Sequence, residues 1–61
     1  MDNLENVEQA LTVVNDYLKA SRQDLINAVI DGEPLEDLLA DHETLVATRS
    51  LLRELRKNPN T

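Results

Sequence analysis

One spacing of apolar residues limits what this 61-residue chain can fold into. Over the first half of the chain, apolar side chains recur at alternating intervals of three and four, with Leu at every seventh position. Such a heptad pattern places an apolar stripe along one side of a helix and is typical of helices that pack lengthwise against another helix. It predicts a first helix over about residues 3–30. The stripe consists of Leu4, Val7, Leu11, Val14, Leu18, Ser21, Leu25 and Ala28.

Three polar residues bear on this first helix. Asp2 is placed to cap its start, with Glu5 three residues further on, as in a capping box. Ser21 interrupts the apolar stripe, and two roles are open for it. Its hydroxyl bonds back to the carbonyl of Tyr17, or it sets the register of the helix pair.

The segment IDGEP, residues 30–34, contains the only Gly of the chain and one of its two Pro. Gly32 suits the left-handed position that follows a helix end. Pro34 suits the first turn of the next helix, where a missing N–H costs nothing. We therefore expect a turn at residues 31–33 and a second helix over about residues 34–57, with a break near Asp41 left open. Leucines recur every seven residues in this second helix, at Leu38, Leu45 and Leu52.

These elements predict an all-α fold, an antiparallel helical hairpin that forms one domain over residues 1–61. A chain of this size is marginally stable alone, and it has no Cys for disulfides and only one His. We therefore expect two hairpins to associate into a homodimeric four-helix bundle, with their relative direction and a higher oligomer left open. Candidate interface residues are Leu4, Val7, Leu11, Val14, Leu18, Leu25, Leu38, Leu45 and Leu52.

This layout of two long helices around a Gly-Pro turn resembles the Rop family of plasmid copy-number regulators. The resemblance implies a dimer of helical hairpins of nearly this length. It covers the architecture alone, because no specific motif matches, and RNA binding is not carried over to this chain.

The charge of the chain limits the classes of partner that it can bind. Twelve acidic and six basic residues give a formal net charge of −6, which disfavours nucleic acid and anionic membranes. The N-terminal sequence lacks the basic region of a signal peptide, and no apolar run approaches the ~20 residues of a membrane-spanning helix. We expect a cytoplasmic protein that does not contact membranes.

An acidic segment surrounds and follows the turn, and no Lys or Arg interrupts it. Its acids do not follow the order of a calcium-binding loop, so we expect no metal site. They either keep the surface soluble or form a surface that a basic partner protein recognises. These candidate partner-binding residues are Asp31, Glu33, Glu36, Asp37, Asp41 and Glu43.

Bases gather at the far end of the second helix. Arg49, Arg53 and Arg56 are spaced by four and three residues, so we expect them to form a ridge on one helix face. Such a ridge pairs with the N-terminal acids and Glu54, or it binds the phosphates of a nucleic acid.

His42 is the only imidazole, and the residues three and four positions away from it are apolar: Leu38, Leu39, Leu45 and Val46. We expect it partly buried at a bundle interface, with a pH-sensitive contact or a metal site between subunits as the alternative. No Cys exists, and no Ser is identified within reach of His42. We therefore expect no catalytic residues, no cofactor and no enzymatic activity.

These observations favour a small, acidic, non-enzymatic interaction protein. The leading hypothesis is a homodimeric regulator or inhibitor that binds another protein, as accessory proteins of phages and plasmids do. One variant is a nucleic-acid mimic, whose acids occupy a protein that normally binds DNA or RNA. The alternatives are a Rop-like nucleic-acid binder that uses Arg49, Arg53 and Arg56, and a purely structural assembly component.

Overall fold

The chain forms two helices in a computed structural model that describes residues 3–58. Helix α1 spans Asn3–Asp31, helix α2 spans Glu36–Lys57, and the two pack against each other along their lengths. The hairpin measures 46 × 16 × 13 Å, so the length of α1, about 1.5 Å per residue, sets the length of the rod. The all-α hairpin is confirmed, whereas its dimerisation stays a prediction. The proposed capping residue Asp2 lies outside the described residues.

Gly32 ends α1 in the way its position predicts. Its φ of +70° lies in the left-handed region, and the N–H of Glu33 donates to the carbonyl of Ala28 at 2.9 Å. The N–H of Gly32 donates to the carbonyl of Val29 at 3.3 Å. These two bonds form a Schellman motif, which satisfies carbonyls that the end of a helix would otherwise leave unpaired.

The prediction that Pro34 lies in the first turn of α2 is wrong, because the helix begins at Glu36. Leu35 is the N-cap residue, and its carbonyl accepts the N–H of Leu39 at 2.8 Å. Packed helix axes lie ~8–10 Å apart, and the chain must cross this distance after the Schellman turn before a second helix can begin. No side chain caps α2, but Glu36 and Asp37 in its first turn complement the helix dipole.

Helix α2 is continuous, so the break considered near Asp41 does not occur. It ends at Lys57, where the N–H of Asn58 donates to the carbonyl of Glu54 at 3.0 Å. Pro disfavours helical conformation in the residue before it, which accounts for this end ahead of the Asn58–Pro59 pair in the sequence.

The buried side chains of the described residues all belong to α1, and α2 contributes none. Each helix of a hairpin has one partner, so much of each helix surface faces water. On α2 the contact leucines Leu38, Leu45 and Leu52 are half-buried. The stripe found in the sequence supplies the core, which consists of Leu11, Val14, Leu18 and Ala28.

Candidate interaction surfaces

Ser21 and His42 form the one side-chain hydrogen bond that joins the helices among the described residues, with 3.0 Å between Oγ and Nδ1. This contact contradicts the expectation that no Ser lies within reach of the only His. The two residues are 21 positions apart in sequence, and only the register of the hairpin brings them together. The hydroxyl of Ser21 therefore has a partner on the other helix, as the register hypothesis for Ser21 requires.

A sequence signal for this contact did exist. Ser21 occupies a stripe position of α1, and His42 lies between leucines three and four residues away on α2. The turn lies midway between the two residues, so folding the chain back at the turn brings them to the same level. Both side chains are half-buried where the two helices meet, and a bundle interface at His42 stays a prediction.

Arg49 lies at the helix contact rather than on an open ridge. It is half-buried, and its Nε is buried without a hydrogen-bond partner. Seven residues, about two helical turns, separate Arg49 from His42 and Val14 from Ser21, so Arg49 lies level with the buried Val14. Arg53 and Arg56 are exposed. Arg53 and Arg56 are therefore the residues of the predicted ridge whose side chains are exposed and could contact a phosphate.

The acidic segment is exposed at every one of its predicted partner-binding residues. These acids cover the turn and the first two turns of α2, and no Lys or Arg occurs between residues 31 and 48. One end of the rod is therefore strongly acidic. The exposed bases of α2, Arg53, Arg56 and Lys57, lie at the other end, which we call the open end. Within residues 4–58 no ion pair joins these bases to an acid.

Two apolar faces remain uncovered among the residues that the structure describes. The central face consists of Val13 and Tyr17 on α1 with Leu51 and Leu55 on α2, and these side chains are 49–67% exposed. A surface depression of about 390 Å³ adjoins it, lined by Val13, Asp16, Tyr17 and Ala20. The turn-side face lies nearer the turn and consists of Ile26, Val29 and Leu39.

The predicted interface residues lie mainly between the two helices of one chain. Leu11, Val14 and Leu18 are buried there, and Leu4 is exposed. Their contact with a second chain stays a prediction, but the hairpin itself already uses most of this apolar stripe. The remaining predicted interface residues are half-buried, and they are Val7, Leu25, Leu38, Leu45 and Leu52.

The part of the chain that the structure describes contains no group of three or more His, Cys, Asp or Glu side chains placed to hold a metal ion. In the same part, neither helix is long and apolar enough to cross a membrane. Comparison with protein-family models, with curated proteins and with solved structures finds no match for this chain.

Proposed function

We propose that this chain is a non-enzymatic interaction protein, a homodimer of hairpins that regulates or inhibits another protein by binding it through the acidic segment. The observation that carries the proposal is the exposure of all six acids of that segment at one end of a rod, with no base among them. Such a surface attracts a basic protein over several ångströms and accelerates encounter with it.

Two structural features support binding at this end. The Schellman turn holds Glu33 and its neighbours on an ordered backbone, so fewer conformations are lost when a partner binds. Within residues 4–58 the acids of the segment form no ion pair that a partner would have to break. A basic surface therefore replaces only water and counterions around these carboxylates.

The chemistry of the partner follows from the charge. A protein with a patch of Lys and Arg complements the segment, and nucleic-acid-binding proteins carry such patches to neutralise phosphates. The variant in which this chain mimics a nucleic acid predicts that the chain and DNA compete for one partner. Simultaneous binding of both to that partner would reject the mimic variant alone.

Affinity capture from a lysate of the source organism tests the proposal. The wild type is compared with a variant in which Glu36, Asp37, Asp41 and Glu43 are changed to Lys. The matched control changes four acids outside the segment, Glu5, Glu8, Asp16 and Glu54, to Lys, which alters the net charge equally. We expect the wild type and the control to retain a basic protein that the segment variant loses. Equal capture by all three proteins would overturn the proposed role of the segment.

Nucleic-acid binding is the second candidate, because Arg53 and Arg56 are exposed one turn apart. Electrostatic contacts to phosphates are strongest at low ionic strength. A gel shift at low salt that disappears when both arginines are changed to Gln would favour this function. No shift at any salt concentration would reject it.

A further inference from the structure

We propose that two copies of this chain associate through the central face with their long axes reversed, so that the turn of each copy lies beside the open end of the other. The inference rests on the homodimer of the proposed function and specifies its contact face and direction. It commits to a second copy of the chain as the occupant of the face formed by Val13, Tyr17, Leu51 and Leu55.

The four side chains share one side of the hairpin. Val13 and Tyr17 are four residues apart on α1, as are Leu51 and Leu55 on α2, so each pair forms a short stripe. Tyr17 directly precedes Leu18, which is buried at the helix contact. On α2 the side that faces α1 recurs every seven residues, so Leu55, six residues after the contact residue Arg49, also comes one position before it. The two side chains therefore lie on equivalent flanks of their helices. Antiparallel helices are related by a two-fold rotation, which places equivalent flanks on the same side.

The exposed area of the chain fits one standard interface. A compact 6.9 kDa monomer is expected to expose roughly 4,000 Å². The whole chain exposes 4854 Å², and the difference is close to the ~800 Å² that each partner buries in an ordinary specific interface. A second hairpin packed along the rod therefore buries about the area by which this chain exceeds a compact monomer of the same mass.

The position of the central face favours self-association along the full rod. Tyr17 is the middle residue of α1, which spans Asn3–Asp31. A two-fold axis beside Tyr17 places the face of one copy against the same face of the other, as an isologous interface requires. The two rods then lie side by side and overlap over their full length. The turn-side face lies at one end of the rod, where the same operation would overlap only the turn halves and bring Glu36 and Glu43 of both copies together.

Charge selects the reversed direction. Asp24 and Asp31 follow Tyr17 at intervals of seven residues, so the same flank of α1 becomes acidic towards the turn. Parallel rods would place these carboxylates against their own copies. Reversed rods place them beside the open end, where the exposed base Arg56 directly follows Leu55. Each exposed pair contributes only ~0–1 kcal/mol, so these charges choose a direction while apolar contact supplies most of the affinity.

Sedimentation measurements on paired variants test the face. Tyr17→Glu with Leu51→Glu alters the central face, and Ile26→Glu with Leu39→Glu alters the turn-side face by the same charge. All four positions are exposed and Glu favours helix, so circular dichroism should show both proteins folded. We expect the first pair to weaken dimerisation at least about tenfold and the second pair to leave it unchanged.

The outcomes separate the inference from the proposed function. A wild type that stays monomeric would overturn both the homodimer and this interface. A dimer that the turn-side pair disrupts, and that the central pair leaves intact, would overturn the interface and leave the homodimer standing.

Spin labels test the direction, because the chain has no Cys and a single substitution gives one label in each copy. Ala20→Cys and Asn27→Cys lie three and ten residues from Tyr17 on the same side of α1. Reversed rods predict separations along the rod of roughly 9 Å and roughly 30 Å between equivalent labels. Parallel rods predict equal separations at both positions, and that result would overturn the reversed arrangement.

Discussion

Ser21 and His42 lie opposite each other across the helix contact, with 3.0 Å between the hydroxyl oxygen and Nδ1 of the imidazole. The bond connects two polar residues within a seam that is otherwise largely aliphatic. Slipping one helix by one turn, about 5.4 Å, would break it and place both polar groups against apolar side chains. The pair therefore favours one register of the hairpin.

A double-mutant cycle measures this contact. Ser21→Ala removes the hydroxyl and leaves the half-buried imidazole without its partner, so we expect a loss of about 1 kcal/mol in the free energy of unfolding. Ser21→Ala combined with His42→Leu removes both polar groups and should cost much less than the two single changes together. Urea unfolding at one fixed protein concentration should give a coupling energy of about 0.5–1.5 kcal/mol. Additive effects would contradict the contact.

Arg49→Leu should stabilise the protein. The substitution removes a buried Nε that has no hydrogen-bond partner and adds an apolar side chain level with Val14. We expect the free energy of unfolding to rise by about 1 kcal/mol, because an unsatisfied buried donor costs ~1–3 kcal/mol. Arg53→Leu is the matched control at an exposed position and should change stability by less than about 0.5 kcal/mol. A destabilised Arg49→Leu protein would show that the guanidinium makes a contact that stabilises the fold.

Gly32→Ala should destabilise the turn by about 1 kcal/mol, since an L-residue with a Cβ is strained at positive φ. A Cβ at this position would meet no atom within 4 Å, so the cost comes from the backbone conformation alone. Gly32→Asn should cost less, because Asn tolerates the left-handed region better than Ala. Thermal unfolding of the three proteins checks this order, and equal stability of the Ala and Asn variants would contradict it.

Leu18→Ala should be the most damaging of the single truncations. Leu18 is 3% exposed, whereas Ile30 is 75% exposed. We expect Leu18→Ala to lower the free energy of unfolding by about 2–4 kcal/mol and Ile30→Ala to change it by less than about 0.5 kcal/mol. Chemical denaturation of both variants measures the difference. Similar losses would mean that Ile30 is covered in solution by a surface that the single hairpin lacks.

The sequence predicted the hairpin because its helix signals are local. The heptad stripe of α1 and the Gly32 turn each follow from residues close together in the chain. The core came from the same stripe, since Leu11, Val14 and Leu18 are its central residues. The start predicted for α2, at about residue 34, lies two residues before the start observed at Glu36. The distance between helix axes, and not the preference of Pro34, decides where the second helix can begin.

The surfaces were harder to predict because they depend on how the two helices face each other. The spacing of Arg49, Arg53 and Arg56 suggested one ridge, but the register brings Arg49 to the helix contact. The central face combines residues from both helices, and neither helix alone reveals it. The acidic segment needed no such knowledge, since its acids are exposed whichever side of α2 meets α1.

The mass of the wild-type protein in solution tests the central claim most directly, because self-association underlies both the regulator and its proposed interface. Native mass spectrometry, with sedimentation equilibrium from about 1 to about 100 µM, follows the association with concentration. The account predicts a closed dimer with twice the 6.9 kDa mass of one chain. A monomer throughout this range would contradict it, and so would a large ring or fibre, which would favour the structural assembly component.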